Sequence, residues 1–116
     1  MTADEIFRQA LQLLNYPSDE PDLRKKALPL INQIYADLWY INSSELFVPL
    51  TSLMQKVQLE SNVLSNVMPY GVSMLIAQTE GDADNHALYA SLYNQRRPSA
   101  RSSSDRFEDR MPKVFF

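Results

Sequence analysis

The 116-residue chain has no cysteine, two glycines and one histidine. Without cysteine there is no disulfide framework, no thiolate nucleophile and no cysteine zinc site, so nothing marks the chain as secreted. Two glycines, Gly71 and Gly81, cannot build a glycine-rich phosphate loop. A lone His86 excludes multi-histidine metal sites and would have to serve unaided in any Ser-His-Asp triad. No nucleophile, base and oxyanion stabiliser can be assembled in turn, so the expectation is a non-enzyme with no catalytic residue, cofactor or metal. Long apolar runs are also missing. The longest, Val67 to Ala77, is interrupted by Pro69, Gly71 and Ser73 and falls far short of the roughly 20 residues of a membrane span. The N-terminus, Met-Thr-Ala-Asp-Glu, is acidic where a secretory signal is basic, so neither membrane nor secretory targeting is expected.

What remains is 45% hydrophobic and 22% charged, the composition of one compact domain. Its charge is divided unevenly. Residues 1–94 carry a net charge of −6 and residues 95–116 one of +3. An acidic body disfavours tight binding to duplex nucleic acid, which depends on cations neutralising phosphates. A basic tail suits an acidic protein surface or stays solvated.

Apolar residues recur at helical spacing in four stretches. Thr2 or Asp4 can cap a first helix whose face is Ile6, Phe7, Ala10, Leu11, Leu13 and Leu14, ended near Asn15 by Tyr16-Pro17 and Pro21. A second starts around Pro21-Asp22 and carries Leu23, Ala27, Leu30, Ile31, Ile34, Tyr35, Leu38 and Trp39, with a kink expected at Pro29. A third opens at Ser61 or Asn62 and is apolar almost all round through Ile76, so it is expected at the centre, with another helix passing close to Gly71. The fourth is capped by Asp82-Ala83-Asp84 and is expected to turn Ala87, Leu88, Ala90, Leu92 and Tyr93 inward until Pro98 stops it.

Between the second and third helices, residues 42–61 lose the helical period and read as a linker with a few buried anchors. Lys56-Val57-Gln58-Leu59-Glu60 alternates polar with apolar, compatible with one short strand that pairs across subunits. After Pro98 the composition shifts to serine and arginine and then to Met111-Pro112-Lys113-Val114-Phe115-Phe116. The expected fold class is therefore all-α: a small four-helix bundle at 1–97, a long loop between helices 2 and 3, and an extended basic arm at 98–116, ordered only on a partner. Asp82-x-Asp84-x-His86 imitates the start of a calcium loop but has Ala87 at the glycine position and Tyr93 at the terminal glutamate, so it reads as a helix cap. Tyr35, Trp39, Tyr40, Tyr70, Tyr89 and Tyr93 read as packing residues rather than nucleobase platforms.

The stretches Ile6 to Tyr16, Ala27 to Ile34, Leu59 to Leu64, Val67-Met68-Pro69-Tyr70-Gly71-Val72 and Leu88 to Asn94, in that order, resemble the small head-tail connector (adaptor) proteins of tailed phages and prophages. The resemblance covers about residues 4–97 and implies a virion protein of the neck, present in host cytoplasm before assembly. It implies a homo-oligomeric ring, commonly of twelve subunits, below the portal protein, extending the channel for packaged DNA without sequence-specific binding and presenting a surface to a tail or stopper protein. Beside it, the residues suggest two contact regions. Arg96, Arg97, Arg101, Arg106, Arg110, Val114, Phe115 and Phe116 would dock the arm on the portal or a neighbouring subunit. Phe47, Val48, Leu50, Lys56, Val57 and Leu59 would make subunit contacts or face the lumen. The alternative is a cytoplasmic helical adaptor or regulatory protein acting as a monomer or dimer.

Overall fold

The computed structural model describes residues 1–18 and 20–101. Helix α1 (Ala3–Leu14) starts at a capping box in which the Thr2 hydroxyl accepts from the Glu5 N–H and the Glu5 carboxylate accepts from the Thr2 N–H. It closes on Asn15 in the left-handed conformation at φ 59°, which lets the Asn15 N–H reach the Leu11 and Gln12 carbonyls. Helix α2 (Pro21–Asn42) begins with proline in its first turn and continues through Pro29, which sits on the exposed side.

The expected third helix is in fact two, α3 (Ser61–Asn66) and α4 (Met68–Thr79), parted at Val67 with φ −123° and ψ −55°. The cause is Pro69. It cannot donate to a carbonyl one turn back, so the helix restarts and places it in a first turn, where no donor is needed. Helix α4 is central as expected, packing against α1, α2 and α5 and burying Met68, Val72, Leu75 and Ile76. Ser73, fully buried on the α1 side, donates to the Ala10 carbonyl at 3.0 Å. A Cβ at Gly71 would lie 2.8 Å from the Tyr93 ring and 3.0 Å from Ile34, so the glycine allows the close approach anticipated for it.

Gly81, at φ 70°, turns the chain, and Asp82 caps α5 (Ala83–Arg96) by accepting from the Asn85 N–H. The inward face of α5 matches the expected one at Tyr93 and differs from it at Ala87 and Leu88, whose place is taken by Tyr89. Tyr89 and Tyr93 are buried, Ala90 and Leu92 are half-buried, and Ala87 and Leu88 face solvent, Leu88 at 50% exposure. The two rings bury more area than the leucine would, and each hydroxyl finds a fixed acceptor: Leu13 O for Tyr89 and Asp37 Oδ2 for Tyr93, at 2.7 and 2.6 Å. A 3-10 turn, Arg97–Ala100, then carries the helical body past residue 97, with Ala100 1% exposed and its carbonyl accepting from Asn42 Nδ2.

The core expectations for Leu11, Leu14, Ile31, Ile34, Leu38, Val67 and Leu75 match the buried set. Among the described residues there is no strand. The alternation at Lys56–Glu60 produces one antiparallel bridge, Lys56 to Thr2, beside a Val57 N–H to Met1 O bond. The partner is the chain's own N-terminus, not a second subunit, because Val57 is drawn into the core and brings that backbone beside α1.

Candidate functional site

The loop from Ser43 to Gln58 is held to the helices by side chains that replace a sheet partner. Asn32 on α2 accepts from the Leu50 N–H through Oδ1 at 2.7 Å and donates to the Leu50 carbonyl through Nδ2 at 2.9 Å. Three aromatic residues in the second half of α2 hold further backbone groups. The Tyr35 hydroxyl accepts from the Gln58 N–H, the Trp39 indole donates to the Glu45 carbonyl, and the Tyr40 hydroxyl accepts from the Phe47 N–H. Within the loop, Gln55 Oε1 accepts from the Thr51 and Ser52 N–H groups at 2.7 and 2.9 Å. The loop returns the support by accepting from α1, whose Ala3 and Asp4 N–H groups bond to the Gln55 and Leu53 carbonyls.

This scaffold displays apolar side chains outward. Leu46, Val48 and Met54 are 84%, 75% and 73% exposed, and Tyr40 is also exposed. Behind them Phe47 stands edge-on to Tyr35 with ring centroids 5.0 Å apart, and Trp39 completes the cluster. A shallow depression of about 300 Å³ runs between these rings, Pro49 and Leu50. From residue 43 to 55 the only charge is Glu45. A fixed loop bearing three large apolar residues leaves hydrophobic surface in water that folding has not covered, the physical signature of a contact surface.

Of the loop residues singled out in the sequence, Val48 and Lys56 are exposed. Phe47 and Leu59 are half-buried. Leu50 and Val57 belong to the core, so they cannot meet a neighbour; they are the anchors that aim the loop. Leu46 and Met54 join this surface as well; Leu46-Phe47-Val48 beside a proline, outside any helical period, is the signal that points to Leu46, and no local pattern points to Met54. The clamps Asn32 and Tyr35 bond to residues 18 and 23 positions away and leave no local trace.

The arginines of the second region are divided. Arg97 forks onto both oxygens of Asp37, at 2.7 and 2.9 Å, and Arg96 lies 4.2 Å from the Tyr70 ring centroid while donating to the Asn66 carbonyl. Both are therefore engaged by their own chain. Arg101 is exposed at the edge of the described residues, and Arg106, Arg110, Val114, Phe115 and Phe116 lie outside them. The Arg97 fork holds the Asp37 carboxyl below the usual range against the opposing effect of its burial, and the Tyr93 hydroxyl helps. Burial, then the Asp37 carboxylate, push the Tyr93 phenol well above its ordinary value.

Nothing in the described residues gathers three metal-ligating side chains, and no described helix is long and apolar enough to cross a membrane. Asp82, the would-be calcium ligand, is occupied as a cap and as acceptor of the Tyr16 hydroxyl at 2.7 Å. The arrangement offers contact chemistry: apolar burial at a fixed loop, with polar bonds that keep the loop in one shape. No protein-family model matches the chain, and no characterised protein or solved structure is found to be similar to it.

Proposed function

We propose that this chain is a structural subunit of a phage head-tail connector, forming a ring below the portal that extends the DNA channel and joins capsid to tail. The observation that carries the proposal is the clamped loop. Leu46, Val48 and Met54 stand out from a scaffold fixed at Asn32, Tyr35, Trp39, Tyr40 and Gln55, which is what a permanent contact with a neighbouring subunit needs. The order of helices, including the Pro69-Tyr70-Gly71 step at the head of the central helix, supports the same reading through its resemblance to connector proteins. The acidic body suits a channel wall along which DNA slides without being held, since wall and phosphates repel.

The arm beyond Arg101 serves in this reading as a docking segment for the portal or an adjacent subunit, with Val114, Phe115 and Phe116 as its apolar end. The test is electron microscopy of particles assembled with the chain. The expected result is a ring of this protein, about the DNA axis, between portal and tail. Particles that join tails without it, or a chain found only as a free monomer or dimer on a cytoplasmic partner, would replace the connector reading with that of a helical adaptor.

A further inference from the structure

The apolar surface of the loop lies beside the point where the described chain stops. Asn42, the last residue of α2, donates to the Ala100 carbonyl, and the loop begins at the next residue, Ser43. At about 100° per residue, Tyr35, Trp39 and Asn42 share one stripe of α2, and Asp37 stands on the opposite side. Arg97 holds Asp37 and Ala100 meets Asn42, so the 3-10 turn carries the chain around α2 toward the stripe of Trp39 and Tyr35. Arg101 is then extended, at φ −62° and ψ 142°, which ends the turn. Trp39 and Tyr35 line the depression of about 300 Å³ together with Phe47, Val48 and Pro49. These two rings sit about 5 to 10 Å back along α2 from Asn42.

We infer that in the free protein this depression receives the apolar segment of the chain's own arm, Met111 to Phe116. Route, reach and chemistry agree. The route is the passage from Asp37 to Asn42, which already points the chain at the depression. About 13 residues separate Arg101 from Val114 and reach up to about 43 Å when extended, several times the distance required. Met111-Pro112-Lys113-Val114-Phe115-Phe116 is the one concentration of large apolar residues after Pro98. Its two phenylalanine rings suit the open edges of Tyr35, Trp39 and Phe47, which already pack edge to face among themselves. Charge is balanced on both sides: Glu45 and Lys56 stand on the loop, and residues 102–116 hold three acidic and three basic side chains, so apolar contact selects the segment. The chain's own arm is favoured over that of a second copy because a short connection holds it at about millimolar local concentration. In the connector reading a neighbouring subunit displaces the arm from this surface, which keeps free subunits apart and releases the arm for the portal only on assembly. The inference itself concerns a single chain and needs no ring.

Trp39 is the chain's only tryptophan, half-buried and lining the depression, so its fluorescence reads the occupancy directly. The test uses the full chain in three forms: unchanged, with Phe115→Asp and Phe116→Asp together, and with Lys113→Asp. The last changes the net charge by the same amount as the double variant without removing an apolar residue. All these positions lie beyond Ala100, where the core closes, so the three forms should share one helical circular dichroism spectrum. Acrylamide should quench Trp39 at least two-fold more steeply in the double variant than in the parent, and Lys113→Asp should stay close to the parent. The parent's protection should persist on dilution. Equal quenching in the parent and the double variant overturns the inference, as does a Lys113→Asp chain as open to acrylamide as the double variant. Protection that fades on dilution overturns it too, since the arm would then belong to another copy. Every reading is taken on the free chain, so a failure here leaves the connector reading to the particles that test it.

Discussion

Gly71 shows most directly how one residue sets the distance between helices. Alanine there gains about 1 kcal/mol of helix propensity, yet its methyl would sit 2.8 Å from a Tyr93 ring that Asp37 holds by the hydroxyl. Overpacking of that kind costs about 1 to 3 kcal/mol, so Gly71→Ala should lower stability despite the propensity gain, as read from the urea midpoint. A rise in the midpoint would mean that α4 and α5 can part freely. Ionisable side chains predict the shape of the pH profile. Arg97, then the Tyr93 hydroxyl, hold Asp37 below its ordinary 3.8, so its contribution is complete above that value and fades as pH falls below it. Burial, then Asp82, push the Tyr16 phenol from 10.0 up to about 12, so its contribution is complete below pH 10.0 and is lost as pH rises across that interval. Asp37→Asn should flatten the acid limb of a stability profile, and Tyr16→Phe should weaken the alkaline limb, which Tyr89 and Tyr93 share because burial raises both.

Among the elements, α4 and α5 behave as opposites. Leu75 on α4 is 7% exposed and Leu88 on α5 is 50% exposed. Leu75→Ala should therefore cost about 2 to 5 kcal/mol, whereas Leu88→Ala should change stability by less than about 0.5 kcal/mol. Denaturant titration of the two variants checks both, and equal losses would show that α5 lies against the core by a different face. The sequence makes α1 and α2 readable because their signals are local: a capping box at Thr2, prolines between them, and leucines at helical spacing. On α5 the same reasoning turns Tyr93 inward correctly but puts Leu88 inward in place of Tyr89. Hydropathy favours leucine over tyrosine, but the Leu13 carbonyl and Asp37 give Tyr89 and Tyr93 buried partners that lie 76 and 56 residues away in sequence. The loop is legible as an irregular segment with anchors, while the identity of what it displays depends on Asn32 and the α2 aromatics, whose partners no local pattern names.

For the whole molecule, the core is closed by residues up to Ala100, so a chain lacking residues 102–116 should keep nearly all its helical circular dichroism. In the connector reading the same truncation should abolish attachment to the portal, measured by recovery of the chain with assembled capsids; normal recovery would end the arm's proposed role. The place where that segment leaves the body also has a mechanical meaning. Arg97 grips Asp37 with two parallel bonds, and Asn42 grips the Ala100 carbonyl, so the exit point is fastened to α2 at two levels. Tension applied beyond Arg101 is therefore shared between those levels of α2 before it can peel α5 from α4. Arg97–Ala100 thus act as a strap sewn to α2, so a load carried into it would reach the bundle through two points on that helix instead of one.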